Sequence, residues 1–379
     1  MQAAVRTVKG SQDGGAIGPG ADEQTGYMVT TRPPRHRPDS SGSGGGAAWL
    51  ERWQVPLYLA SLALGAAVGY LWPAGALGFG TAINPVLMVL LYATFLGVPF
   101  ARIRAAFADV RFMACVVVLN FVVVPLVVFA LSRPVAFDPS LLVGVLLVLL
   151  CPCVDYVMVF TRLGGGDAGR LVAASPVQML LQMVLLPLFL WLFAGGAVVA
   201  AIHWAPFARA FLLLIVVPLV LSVLTQQLAR RQGAARVVMR AMESAMVPLM
   251  MGTLMVVVAS QFGHVAAQFG LLVRVVPLFV GFLVVMPVLA NLIGRLGGQP
   301  VVIRRTLAFT GSTRNSLVVL PLALALPPEM ALAASVVVTQ TLVELLGMVT
   351  FVRVIPRLIR QRPGPGQECG QSVGEPIAG

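Results

Sequence analysis

Charge is what this sequence has least of. Only 11% of its 379 residues are Asp, Glu, Lys or Arg, against about 25% in soluble globular domains. That shortage excludes a water-soluble body, because too little polar surface is available to cover one. Lysine is almost missing: Lys9 stands alone, so the formal net charge of +12 rests on arginine. The arginines lie between apolar runs rather than along one stripe, which excludes a nucleic-acid surface. They fit charges that flank membrane spans and meet anionic lipid.

Histidine (3) and cysteine (4) are scarce as well. His36, His203 and His264 fall in a tail or in expected outer loops, so no His/Cys set has zinc spacing. Cys115 lies in an apolar run, Cys369 in a polar tail, and Cys151 and Cys153 are too close to bridge within a helix. Thiols, not a disulfide framework, are expected. No Gly-Lys-Ser/Thr nucleotide loop is present, which excludes a single-chain ATP-driven pump. No cofactor is implied.

What is present is apolar length. Hydrophobic residues make up 58% of the chain and mean hydropathy is +0.92. Runs of roughly 20 residues, enough for a helix to cross a bilayer, recur at 53–71, 77–100, 112–131, 141–161 and 171–194. Five more follow at 206–225, 245–262, 271–293, 306–326 and 330–352. The expected fold is therefore an all-α polytopic membrane protein of about ten transmembrane helices over 47–358. Segments 1–46 and 361–379, rich in Gly, Pro and polar residues, read as disordered tails. No apolar core near Met1 reads as a cleaved signal peptide.

Arginine placement orients these spans. Arg102, Arg104 and Arg111 follow the second, Arg162 and Arg170 the fourth, and Arg230, Arg231, Arg236 and Arg240 the sixth. Arg295, Arg304 and Arg305 follow the eighth, and Arg353, Arg357 and Arg360 the tenth. Alternate loops hold little beyond Arg133, with Arg209 and Arg274 at outer span edges. Both termini are then cytoplasmic, in a cell (inner or plasma) membrane.

The ten spans also divide into two fives, 47–194 and 206–358, which an odd number per half places in opposite orientations. The fourth span carries Leu150-Cys151-Pro152-Cys153-Val154-Asp155-Tyr156 near mid-depth, and the ninth carries Ser312-Thr313-Arg314-Asn315-Ser316. Pro152 removes a backbone donor, and freed backbone at that depth survives only inside protein or a watered cavity. Polar interruptions at matching positions point to an inverted-repeat secondary transporter with discontinuous fourth and ninth helices.

Several residues at these breaks could carry chemistry. A thiol in a membrane helix usually acts as a small hydrophobe, which is the reading for Cys115. Beside a helix break and a carboxylate, Cys153 becomes a candidate ligand for a thiophilic substrate, with Cys151 accessory. Glu344 in the tenth span is suited to carry a proton, or else forms a structural pair with Arg314. Gln340 lies one turn earlier on the same face. Asp155 and Arg314 pair with each other, or Arg314 supplies a fixed positive charge to a substrate. Gln178 and Gln182 share a face of the fifth span and read as interhelical hydrogen-bond formers. Leu163-Gly164-Gly165-Gly166-Asp167 reads as a turn.

Over roughly 53–358 the chain resembles the arsenical-resistance permeases, the arsenite-efflux branch of the bile acid:sodium symporter superfamily. The carrying residues are Cys153, Val157-Met158-Val159-Phe160, Leu163, Gly166-Asp167, Asn315 and Leu342-Val343-Glu344. The resemblance implies a panel and a core domain, with crossed fourth and ninth helices. It also implies that Cys153 and Glu344 are the functional pair, exporting trivalent arsenic as neutral As(OH)3 in exchange for protons. Asp155, Arg314 and Thr341 depart from the family pattern, the first two by placing fixed charge near the site.

Two transport readings follow. One is a proton-coupled metalloid exporter using Cys153 and Glu344, with antimonite a further substrate. The other is a sodium-coupled symporter of a small organic anion, with Asn315 and Gln340 on sodium and Arg314 attracting the anion. A third, a non-transporting receptor, lacks any recognisable interaction module in the tails. Expected partners are lipid, one small substrate, and protons or sodium.

The topology is directly testable. Tags at both termini should be cytoplasmic, and a cysteine introduced within 195–205 should react with an impermeant maleimide applied outside. External labelling of a reporter within 230–240 would reverse the assignment.

Overall fold

Long apolar stretches without water to bond their backbone must close their own hydrogen bonds, and helices do so within one segment. The computed structural model, which describes residues 45–98, 109–154, 156–195 and 204–360, is accordingly all helix. Its elements are α1 (Gly45–Leu71), α2 (Pro73–Gly97), α3 (Val110–Val135), α4a (Pro139–Leu149), α4b (Val157–Leu163) and α5 (Ala168–Ala194). The second half comprises α6 (204–228), α7 (Gly233–Ala267), α8 (Phe269–Leu296), α9a (Val301–Ser312), α9b (Ser316–Leu324) and α10 (Pro328–Leu358). Among the described residues eight helices are long and apolar enough to cross a membrane. The fourth and ninth elements are each split into two shorter helices. The protein is an all-α, multi-pass membrane protein.

Local chemistry sets the helix boundaries. Asp109, Asp138 and Asp167 cap α3, α4a and α5 by accepting from Phe112 N (3.0 Å), Ser140 N (2.8 Å) and Arg170 N (3.0 Å). Pro125 and Pro218 sit inside α3 and α6, each just after a π-helical turn, Leu119–Val123 and Leu212–Val216. A proline cannot donate to the preceding turn, and widening that turn accommodates its ring. Gly165 takes φ +69 in the turn after α4b, as the glycine-rich run suggested.

The fourth span is broken as the Pro152 interruption implied, into Pro139–Leu149 and Val157–Leu163. One span expectation needs correction. The seventh is longer than 245–262: α7 spans 35 residues, about 50 Å at 1.5 Å per residue. Arg236 and Arg240 therefore lie on helical turns, not in a loop, in a helix longer than the roughly 30 Å hydrocarbon core. The 1–44 and 361–379 tails and Asp155 lie outside the described residues.

Helices α1, α2, α6 and α7 pack on one another, α7 meeting both α1 and α2. Separately, α8 lies on α9a, and α10 on α4a and α9b. The two groups meet where α10 touches α7 and where α9b touches α2 and α6. Val184, Leu188, Trp191 and Leu192 of α5 stay exposed, as a lipid-facing surface requires. Helix α4a, by contrast, is buried from Ser140 to Leu149, so it has no lipid face.

Close approach depends on small residues. Gly65 and Gly69, spaced by four on α1, let α7 come so near that an added Cβ would lie 2.7 Å from Met255 O and 2.5 Å from Phe262 Cβ. Gly144 does the same between α4a and α10, with Val336 Cβ at 2.8 Å and Ala333 O at 2.9 Å. Gly144→Leu should therefore destabilise the detergent-solubilised protein by about 1–3 kcal/mol or more. Gly80→Leu, whose Cβ meets nothing within 4 Å, should leave the melting midpoint nearly unchanged. Equal midpoints for both variants would contradict the close α4a–α10 contact.

Candidate substrate site

Interrupting a helix leaves amides and carbonyls without partners, and here the two interruptions supply each other. Pro152 and Arg314 form an antiparallel bridge. Cys153 N donates to Thr313 O at 3.2 Å, and Asn315 N donates to Cys151 O at 2.8 Å. Asn315 then caps α9b, its Oδ1 accepting from Val318 N at 3.2 Å. The breaks at 151–153 and 313–315 are thus one paired structure in the protein interior. Cys151, Cys153, Arg314 and Asn315 are all fully buried.

Glu344 reaches this bridge from α10. One carboxylate oxygen accepts from Tyr156 Oη at 2.6 Å, the other from the Arg314 backbone N at 2.8 Å and from Gln340 Nε2. Tyr156 immediately precedes α4b, and Arg314 lies just before the cap of α9b. Through the Arg314 amide the carboxylate lies beside the start of α9b, where the helix dipole favours negative charge, and it meets the fourth element through the Tyr156 hydroxyl. Tyr156 Oη is also 3.0 Å from the Arg314 carbonyl, tying the fourth element to the ninth a second time.

The Arg314 guanidinium points the other way. Its Nη2 donates to Thr310 O (2.7 Å), Gly311 O (2.8 Å) and Asn120 Oδ1 (2.9 Å), and its Nη1 to Leu149 O (3.4 Å). Phe282 lies under it, ring centroid 5.4 Å away. These carbonyls end α9a and α4a. Among the described residues the ion pairs are those of Arg170 with Asp109 and with Asp167. The expected Arg314–Glu344 ion pair is thus replaced by a bond from the Arg314 main chain, because the guanidinium is drawn to helix C-termini. Asp155, the other proposed partner, lies outside the described residues.

The structure brings Cys151, Cys153, Arg314, Asn315, Gln340 and Glu344 together. Four buried polar atoms among them and their neighbours have no protein partner: Arg314 Nε, Asn315 Nδ2, Ser316 Oγ and Gln340 Oε1. Such atoms are costly unless water or a ligand serves them. Gln178 does join helices, as its Oε1 accepts from Thr310 Oγ1 at 3.4 Å, whereas Gln182 Oε1 is unpaired.

Sequence reasoning gave no role to Tyr156 or Asn120. Tyr156 closed the singled-out motif, and its hydroxyl was the signal. Asn120 is an amide within an otherwise apolar third span, which marks a buried polar partner. Thr310 has no comparable signal; its carbonyl matters, and every residue has one.

Residues 84–269 match the model of the Sodium Bile acid symporter family. No curated protein matches the chain. The matched stretch runs from within α2 to the start of α8 and includes Asn120, Cys151, Cys153 and Tyr156, while Arg314, Gln340 and Glu344 lie beyond it. Over this stretch the chain is similar to a family of membrane transporters, with the fourth-element half of the site inside the match.

Proposed function

We propose that the chain is a secondary transporter that exports trivalent metalloid, arsenite and antimonite, in exchange for protons. The observation that carries this reading is a buried thiol, Cys153, on the same backbone bridge that bonds the Glu344 carboxylate. Soft sulfur selects thiophilic centres. As the Cys153 Sγ–As bond forms, one As–OH bond breaks, and the thiol proton leaves with that hydroxyl as water. The reverse step releases the substrate as As(OH)3. The remaining substrate hydroxyls need donors and acceptors, and Asn315 Nδ2, Ser316 Oγ and Gln340 Oε1 are buried without protein partners. A neutral substrate suits a site in which the Glu344 carboxylate and both Nη atoms of Arg314 already bond protein groups.

Glu344 is the proton carrier in this reading. Its three donors, Tyr156, Arg314 N and Gln340, hold the carboxylate when ionised. Protonation weakens that set, which gives the bridge two states that differ by one proton. Cytoplasmic termini and division into repeats 47–194 and 206–358 belong to the same proposal.

The second reading, sodium-coupled symport of an organic anion, draws on the family description for 84–269. It assigns Arg314 to the anion. The guanidinium's four protein acceptors favour a structural use instead.

Everted vesicles loaded with the protein separate these readings. Labelled arsenite should accumulate under an imposed proton gradient, and a bile-acid-like anion should not accumulate under a sodium gradient. Cys153→Ser should lower arsenite flux more than about tenfold, equivalent to about 1.4 kcal/mol, while Cys115→Ser stays near parental flux. Glu344→Gln should lose the response to the pH gradient, and Tyr156→Phe should keep part of it. Parental flux in Cys153→Ser removes the ligand role, and a parental gradient response in Glu344→Gln makes Glu344 structural.

A further inference from the structure

The Arg314 guanidinium occupies an unusual cage. The hydrogen-bond partners of its two Nη atoms are all oxygens, the carbonyls of Leu149, Thr310 and Gly311 and the side-chain oxygen of Asn120, while Nε has none. Three of the four come from the last turns of α4a and α9a. Each helix C-terminus carries roughly half a negative charge, so two of them together call for about one positive charge. Oxygen-only coordination by half-helix ends and unwound backbone at mid-membrane is how transporters built on broken helices hold a coupling cation. Here an always-charged side chain, wholly buried, already fills that place.

We propose that Arg314 is a tethered cation standing in a carbonyl cage that would otherwise hold an exchangeable alkali ion, so that the chain binds no sodium at its helix crossing. A tethered charge cannot leave during the cycle. Its charge balances the two helix ends permanently, whatever the substrate does. Glu344, on the amide-rich side of the same bridge, is not its neutraliser: its carboxylate bonds the Arg314 main chain and not the guanidinium. The two buried charges are each matched to helix ends, and the arginine is a positioning residue that keeps the crossing closed. The inference takes from the transporter reading only the idea of a coupling site, and it holds for any substrate.

Cation binding to the purified full-length chain tests this with no substrate present, so its failure is distinct from failure of the arsenite assay. Thermal midpoints should be measured in NaCl, LiCl and choline chloride at constant ionic strength, alongside radioactive sodium binding. The parent should show no saturable sodium binding and no sodium-dependent midpoint. Arg314→Ala should melt several degrees lower and recover saturably in sodium or lithium but not in choline, because a ligand that binds only the folded state stabilises it. Arg314→Lys should fold and remain insensitive to sodium. Saturable sodium binding to the parent overturns the proposal, as does an Arg314→Ala protein as stable as the parent or one that sodium and lithium fail to rescue. If Arg314→Ala does not fold, the parent's sodium binding alone decides.

Discussion

Everything in the interior rests on two broken helices repairing each other. A membrane core offers no water to an unpaired amide, and each one left bare costs several kcal/mol. The exchange between Cys151 and Asn315, and between Cys153 and Thr313, removes that cost only if both breaks sit at one depth and run antiparallel. The requirement fixes where α4a, α4b, α9a and α9b lie. It also fixes the thiol, since Cys153 cannot move without breaking the bridge that its own amide forms.

The same geometry sorts charge. Splitting two helices exposes carbonyl-rich ends on one side of the bridge and amide-rich starts on the other. Arg314 spans the divide: its guanidinium reaches back to the ends of α9a and α4a, and its main-chain N–H turns forward to Glu344. Buried charges usually need a charged partner to offset desolvation. Here helix ends, Asn120 and Tyr156 take that part. These opposite charges, 30 residues apart in sequence but bonded through the Arg314 main chain, avoid forming a direct pair because each finds a better-fitting set of dipoles.

Packing supports the arrangement from outside. Gly144 allows α10 to lie against α4a closely enough for Glu344 to meet Tyr156, and Gly65 and Gly69 bring α1 onto α7. The turn after α4b is held to the ninth element too, since Thr306 Oγ1 accepts from Asp167 N at 2.7 Å. Each contact uses a small or short side chain, as van der Waals packing without a hydrophobic drive requires.

Apolar run lengths and the Pro152 interruption already determined an all-helical membrane protein with irregular fourth and ninth elements, because bilayer thickness and proline chemistry act locally along the chain. The nomination of Cys153, Asn315, Gln340 and Glu344 was legible for a similar reason: polar groups are rare enough at that depth to stand out singly. The span limits were less legible, since α7 continues past its apolar stretch and hydropathy does not register a helix that leaves the membrane. Only the tertiary structure decided which way Arg314 points, that Tyr156 bonds Glu344, and that Asn120 serves the guanidinium. Those outcomes depend on backbone carbonyls and helix ends brought together from positions up to 194 residues apart, and a carbonyl leaves no mark in the sequence.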